Sequence, residues 1–273
     1  MKILSIETST KVGSVAVVDF DESECERTKD KINIHEIDNR TNLMGEYTLN
    51  VDITHTERLL PQIDELLSNI RLTINNIDFI ATSYGPGSFT ALRIGLSTVK
   101  ALAMAMGKPI VGVSSLSTLA MNLFSSKHFI CPFLDAKRKE VYTALIEFDN
   151  EDRLTKLIDD IVLAPDDILN EISLRREENK KKVVFLGDGV VVYLDLIKKI
   201  MGSHNIIIAP LNLSYPRASN VARLAIPMFL NGEVIEAEEL LPFYIRSSEV
   251  QISLKNKENK IGEKRDRHSF KTF

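Results

Sequence analysis

Hydrophobic positions along this chain switch repeatedly between a period of two and a period near 3.6, and the switches mark alternating strands and helices. Residues 2–7 and 13–19 are short apolar runs around a polar turn, the pattern of a hairpin. Residues 21–42 are polar and charged without a sustained period, so a loop or ragged extension is expected there, with residues 47–53 suited to a third strand. Over residues 55–70 the period becomes helical, with Leu59, Ile63, Leu66 and Ile70 spaced by four, three and four. Thr54 and Glu57 form a capping-box pair at its start, while Pro61 is awkward in the second turn. Residues 78–83 read as a strand, 88–106 as a helix closed by Gly107 and Pro109, and 110–113 as a strand, with Ser115 or Ser117 opening the next helix.

A second pattern begins at Phe129. Residues 130–135 form an apolar strand ending in an acid, and residues 140–148 follow as a strand after a short polar turn. A shift of 128 positions places Glu7 on Asp135 and Val15-Ala16-Val17-Val18 on Thr143-Ala144-Leu145-Ile146. Then come a helix opened by Pro165-Asp166-Asp167, a strand at 182–186, a Gly187-Asp188-Gly189 turn, a helix to Met201, a strand at 205–209 and a helix at 219–230. This alternation predicts an α/β fold with mostly parallel central strands and hairpin edges.

The 273 residues are ample for one two-lobed domain or two small ones. A net charge of -4 argues against strong RNA binding by the chain alone, because such affinity comes largely from basic surface. The two cysteines, Cys25 and Cys131, show no metal-ligand spacing and suit a reducing compartment. No apolar run approaches the ~20 residues of a membrane helix, and Glu7 interrupts the short N-terminal apolar stretch, so the expected location is cytoplasmic. Residues 255–273 carry seven Lys or Arg against three acids and read as a solvated tail, or as a weak electrostatic contact to RNA in a larger assembly.

Ser83-Tyr84-Gly85-Pro86-Gly87-Ser88-Phe89-Thr90-Ala91-Leu92-Arg93-Ile94-Gly95 joins the strand at 78–83 to the long helix. Two glycines and a proline make a tight turn with a position free for positive φ, Ser88 can cap the helix, and free N–H groups there attract anions. The string resembles the TsaB/YeaZ family, whose pattern is close to GPGSFTGLRIG; Ala91 stands where the family usually carries glycine. The resemblance covers about residues 1–250 and is strongest over 1–18 and 55–118. It implies the actin-like ATPase fold with two similar lobes, residues 1–114 and 115–250. The last helix is expected to pack back on the first lobe, residues 21–42 to be an insertion, and residues 251–273 to be a basic tail. It further implies a part in making threonylcarbamoyladenosine beside the anticodon of certain tRNAs.

Glu7-Thr8-Ser9-Thr10 matches the acid and small hydroxyl residues that this superfamily places near a nucleotide's phosphates and metal. Together with Gly85, Pro86, Gly87 and Ser88 they would be a degenerate nucleotide cleft; Glu7 capping a turn is the simpler reading. His55-Thr56-Glu57-Arg58-Leu59 is a near match to the His-x-x-x-His pair of the catalytic paralogue, TsaD. Two histidines at i and i+4 can hold a metal, but Leu59 fills the second position, so neither metal nor cofactor is expected on this chain. Ser88 lies in Gly-x-Ser, but Phe89-Thr90 follows where a nucleophile elbow needs glycine, and no catalytic residue is nominated.

The helix at 88–106 carries one narrow polar stripe, Arg93, Ser97 and Lys100, between two apolar flanks. Ile94, Ala101 and Ala105 lie on one flank and Leu92, Leu96, Val99 and Ala103 on the other, an arc about twice the ~100° needed to face one core. Either the helix is fully internal, or one flank meets a partner. The family resemblance implies the latter: a four-helix contact with TsaD using Leu92, Leu96, Val99, Ala103 and the stripe Leu59, Ile63, Leu66 and Ile70. The expected function is then a non-catalytic subunit that supports a TsaD-type enzyme in threonylcarbamoyl transfer. A TsaE-like ATPase would be a third component, with tRNA contacted only through the complex, ATP and metal held by partners, and a homodimer possible when the chain is alone. The competing classes are a stand-alone ATP-binding phosphotransferase or glycopeptidase-like hydrolase, and a self-associating structural protein.

Overall fold

The computed structural model describes residues 1–23, 34–51 and 54–245. Two five-stranded sheets organise it. The first comprises β1 (Lys2–Glu7), β2 (Gly13–Phe20), β3 (Thr41–Leu49), β4 (Phe79–Gly85) and β5 (Ile110–Ser114), in the order β3-β2-β1-β4-β5. The second comprises β6 (Phe129–Asp135), β7 (Val141–Phe148), β8 (Leu154–Leu163), β9 (Val183–Leu186) and β10 (Ile206–Ile208), in the order β10-β9-β6-β7-β8. Read from the hairpin side the two orders are the same. In both sheets the first three strands pair antiparallel and the last two join in parallel. The short repeat between the hairpins is therefore part of a whole-lobe duplication, and the fold is the two-lobed actin-like one.

Strand alternation sorts the side chains of the first sheet between two cores. Leu4, Ile6, Val15, Val17, Ile80 and Ile110 face α2 (His55–Asn69) and α3 (Phe89–Met106), whereas Ile3, Val18, Phe20, Phe79, Val111 and Val113 face α7 (Ala218–Leu230). Period-two alternation forces this division, because successive Cβ atoms leave opposite faces of the pleat. In the second sheet Phe129, Cys131, Phe133, Val183 and Phe185 pack against α5 (Pro165–Asn179) and α6 (Asp188–Met201). Ile130, Leu134, Ile146 and Leu186 take the opposite face, with Leu116, Leu119 and Ala120 of α4 (Ser115–Ala120).

The chain thus returns from the second sheet to lay α7 on the first. Glu46 of β3 anchors the start of α7: it accepts from Arg217 Nε at 3.0 Å, Ser219 N at 2.9 Å and Ser219 Oγ at 2.8 Å. A carboxylate suits the free N–H groups of a helix start. Asp38 accepts from Arg223 Nε of α7 at 2.7 Å and fastens α1 (Ile34–Asn39) beside it.

Several boundaries differ from the sequence-based expectation. The third strand begins at Thr41 rather than 47, and residues 34–39 form α1 within the stretch read as a loop. Its period consists of only Ile34 and Ile37, both buried, which is too short to register as amphipathic. Strand β8 went unrecognised because its alternation is broken where its pairing with β7 shifts register. Residues 24–33, the rest of the presumed insertion, lie outside the described residues, as does the basic tail.

Candidate functional site

The turn after β1 and the start of α3 pack tightly on each other. Ser88 N donates to Ser9 O at 2.7 Å. A Cβ added to Gly87 would lie 2.2 Å from Ser9 O, and one added to Gly95 would lie 1.9 Å from Thr8 Oγ1. Glycine at 87 and 95 is therefore required for the helix to sit down on the turn. Gly85 takes φ +129°, the freedom expected of the Gly-Pro-Gly turn. Ser88 occupies the N-cap position, but its hydroxyl makes no capping bond.

This packing closes the cleft predicted at the turn. Glu7, Thr8, Ser9, Thr10, Gly85 and Pro86 are all buried, and Gly87 is half-buried, leaving Ser88 exposed at the rim. Glu7 Oε1 accepts from Ser9 N at 2.5 Å, while Oε2 is buried without a hydrogen-bond partner. Burial pushes the Glu7 carboxyl up, against the lowering effect of its hydrogen bonds. Glu7 is covered by the chain's own helix at this end of β1, with Oε1 already engaged by Ser9 N. The turn instead behaves as the simpler reading had it: Glu7 accepts the backbone N–H of Ser9.

His55 also has an internal role. Its Nε2 lies 2.8 Å from Thr10 O and its Nδ1 3.0 Å from Arg58 NH2. A carbonyl can only accept and a guanidinium can only donate, so Nε2 carries the proton and Nδ1 accepts. Arg58 also donates to Lys11 O at 2.9 Å and Leu49 O at 3.2 Å. His55 is buried. Burial lowers its pKa, and the neighbouring Arg58 charge adds to that. Among the described residues no group of three or more His, Cys, Asp or Glu is placed to hold a metal ion.

The two helices that cover this turn present a different face to solvent from the one predicted. Leu59, Ile63, Leu66, Leu92, Leu96, Val99 and Ala103 are buried within this chain, and Ile70 packs half-buried against the same core. Each buried Leu, Ile or Val side chain contributes roughly 1.5–3 kcal/mol to the fold, and none offers area to a partner. The outer face of α3 carries Phe89 and Met104, 46% and 61% exposed, with exposed Ser97, Ala101 and Ala105 and half-buried Ile94. Leu60 of α2 is 53% exposed. Both flanks of α3 are apolar, so periodicity could not say which one the sheet takes. The parallel β4–α3–β5 crossover decides it.

The family model for TsaD, tRNA N6-adenosine threonylcarbamoyltransferase, matches residues 49–254. The chain is 30% identical over 212 residues to the tRNA threonylcarbamoyladenosine biosynthesis protein TsaB of Bacillus subtilis, covering 77% of this chain and 87% of that one. The chain belongs to the TsaB/YeaZ family. The Haemophilus influenzae TsaB is 28% identical over 90% of this chain and 94% of its own. A crystal structure of a Pseudomonas aeruginosa protein described as similar to peptidase YeaZ superposes with a TM-score of 0.68 at 24% identity, over 90% of this chain and 99% of that one. At that identity the likeness speaks for the fold. In this TsaB-family chain the helix-start pair is His55 and Leu59, one held by Thr10 and Arg58 and the other in the core.

Proposed function

We propose that this chain is a non-catalytic subunit that binds a TsaD-type enzyme and supports formation of threonylcarbamoyladenosine in tRNA. Membership in the TsaB/YeaZ family supports it. The structural observation that carries it is the close packing of Gly87 and Gly95 on Ser9 and Thr8, which fills the nucleotide-side turn from within. In this reading the chain serves as a scaffold and leaves nucleotide chemistry to its partner.

The partner surface in this reading is the outer face of α3 with the adjoining part of α2: Phe89, Ile94, Ala101, Met104, Ala105 and Leu60. Small residues at 101 and 105 permit close helix approach, and exposed Met and Phe supply adaptable apolar area. A TsaE-type ATPase and tRNA join through that assembly, which places the chain in the cytoplasm with its tRNA substrate.

The test is co-purification with a TsaD-type subunit. Ala101→Glu and Met104→Glu are expected to abolish the pair while thermal unfolding stays within about 2 °C of the unsubstituted chain, as for exposed substitutions. Retention of the pair by both variants refutes the proposed face. A persistent homodimer that never exchanges with the TsaD-type subunit refutes the accessory-subunit reading.

A further inference from the structure

We propose that strand β8 is a clasp through which the first lobe fixes the angle of the second. Two lobes joined by chain crossings hinge about them, and relative motion is the default expectation for such a pair. Here the chain passes to the second lobe through α4 and returns ahead of α7. β8 is an edge strand of the second sheet, and the first lobe bonds to it near both ends.

Asp152, in the turn that leads into β8, meets α1. His35 Nε2 lies 2.9 Å from Asp152 Oδ2, and because an ionised carboxylate only accepts, Nε2 donates. The His35 ring also meets the Phe124 ring edge-on, with centroids 4.9 Å apart, and Phe124 packs against the second-lobe core. Helix α1 reaches into both lobes. Ile34 is buried with Leu116, Ile130 and Phe148 on the second sheet, whereas Ile37 is buried with Ile3, Val18 and Phe20 on the first. Asp38, bonded to Arg223 of α7, fastens the helix on the first-lobe side.

Toward the other end of β8, Asp160 accepts from Ser114 Oγ at 2.6 Å, where β5 ends. Its side chain is only 7% exposed. Each acid is also held from within the second lobe: Asp152 Oδ1 accepts from Ser125 Oγ at 2.7 Å, and Asp160 Oδ1 from Lys156 Nζ at 2.6 Å. One carboxylate oxygen thus fixes the side chain in its own lobe and the other receives a donor from the first.

The separation of the two contacts gives them leverage. Asp152 and Asp160 are eight residues apart along extended chain, roughly 25 Å. A rotation of about 10° around either contact would move the other by roughly 4 Å, beyond the reach of a hydrogen bond. The pair therefore opposes every rotation except one about the line of the strand. Against that one, Asn122, just after α4, ties the outgoing crossing to the returning one by donating to Leu213 O at 2.9 Å and Tyr215 O at 2.7 Å. A partner that touches both lobes then meets one preformed surface and loses no affinity to ordering them.

The test is double electron–electron resonance on the full chain in a Cys25→Ser background, in which buried Cys131 stays unlabelled. Spin labels at Glu65→Cys on α2 and Glu178→Cys on α5, both exposed positions, report the distance between the lobes. The unsubstituted contacts are expected to give one narrow distribution. His35→Ala/Ser114→Ala removes the first lobe's donor at each end and leaves both acids their partners in the second. This variant is expected to broaden or shift the distribution by at least about 4 Å, the displacement that a rotation of about 10° gives over this lever. Ser114 also caps α4, so a lower Tm is expected with it. A lower Tm with an unchanged distribution is the signature of contacts that only stabilise, and it overturns the proposal. A broad distribution before any contact is removed overturns it as well. Should the double variant fail to fold, His35→Ala alone decides, since that side chain is 54% exposed and its loss leaves a single contact as a pivot. An unchanged distribution in His35→Ala then overturns the clasp.

Discussion

Gly95→Ala tests the central packing contact. In an exposed helix interior this change stabilises by about 1 kcal/mol, because alanine has the higher helix propensity. At position 95 the added Cβ would lie 1.9 Å from Thr8 Oγ1, 3.0 Å from Thr8 Cβ and 3.1 Å from Thr8 Cγ2. Rotating Thr8 does not solve this, since its Cβ is itself too close and the residue is buried. The helix must lift from the β1–β2 turn, and overpacking of this kind costs about 1–3 kcal/mol. The expected net loss is about 0–2 kcal/mol, a fall in Tm of up to about 8 °C for a chain of this size. Differential scanning fluorimetry and urea unfolding measure it. Thr8→Ala removes two of the three clashing atoms, so the Gly95→Ala/Thr8→Ala double variant should recover at least half of that loss in a double-mutant cycle. A Gly95→Ala protein more stable than the original, or a cycle additive to within about 0.5 kcal/mol, would show that α3 does not need glycine to seat on the turn.

His55 gives a pH dependence of definite sign. Burial and Arg58 depress its folded pKa below the ordinary value, so the folded chain resists a proton that the unfolded chain accepts. Its contribution is therefore fully present above about pH 6.5 and is lost as pH falls through the unfolded value toward the folded one. The urea midpoint should drop between pH 7.5 and 5.5 by more in the original chain than in His55→Gln; equal drops count against the neutral tautomer assigned here. Glu46→Ala should cost about 2–3 kcal/mol through the lost charge-assisted bonds to the start of α7, seen as a lower urea midpoint at constant m-value. An unchanged midpoint would mean that the apolar face of α7 alone holds it. Burial pushes the Cys131 thiol up to about 12, so in a Cys25→Ser background Ellman's reagent at pH 8 should label the chain only after denaturation. Labelling of the native chain would reveal an opening of the second sheet.

Local pattern was sufficient for what depends on near neighbours. The capping box at Thr54 and Glu57 is present, with Thr54 N donating to Glu57 Oε2 at 3.2 Å. Gly107 closes α3 at φ +61°, as a glycine placed just past a helix end does. The string from Gly85 to Gly95 was enough to name the family, because a turn that must combine positive φ with close backbone approach admits few residues. Weak local signals were lost: α1 has two apolar positions, and β8 changes register midway.

Tertiary structure alone decided which side of each element faces inward. Leu92, Leu96 and Val99 were as suited to a partner as to a core, and Ile94, Ala101 and Ala105 were their equals by periodicity. The crossover between β4 and β5 turned the first set onto the sheet and left the second outside. The same holds at Gly95, where the absent side chain serves Thr8 from another strand turn rather than a partner helix. It holds at His55, whose neighbours Thr10 and Arg58 make it a neutral internal clasp. Spacing along a chain sets which residues share a face. What that face meets is set by contacts distant in sequence, and those exist only once the lobes have closed on their helices.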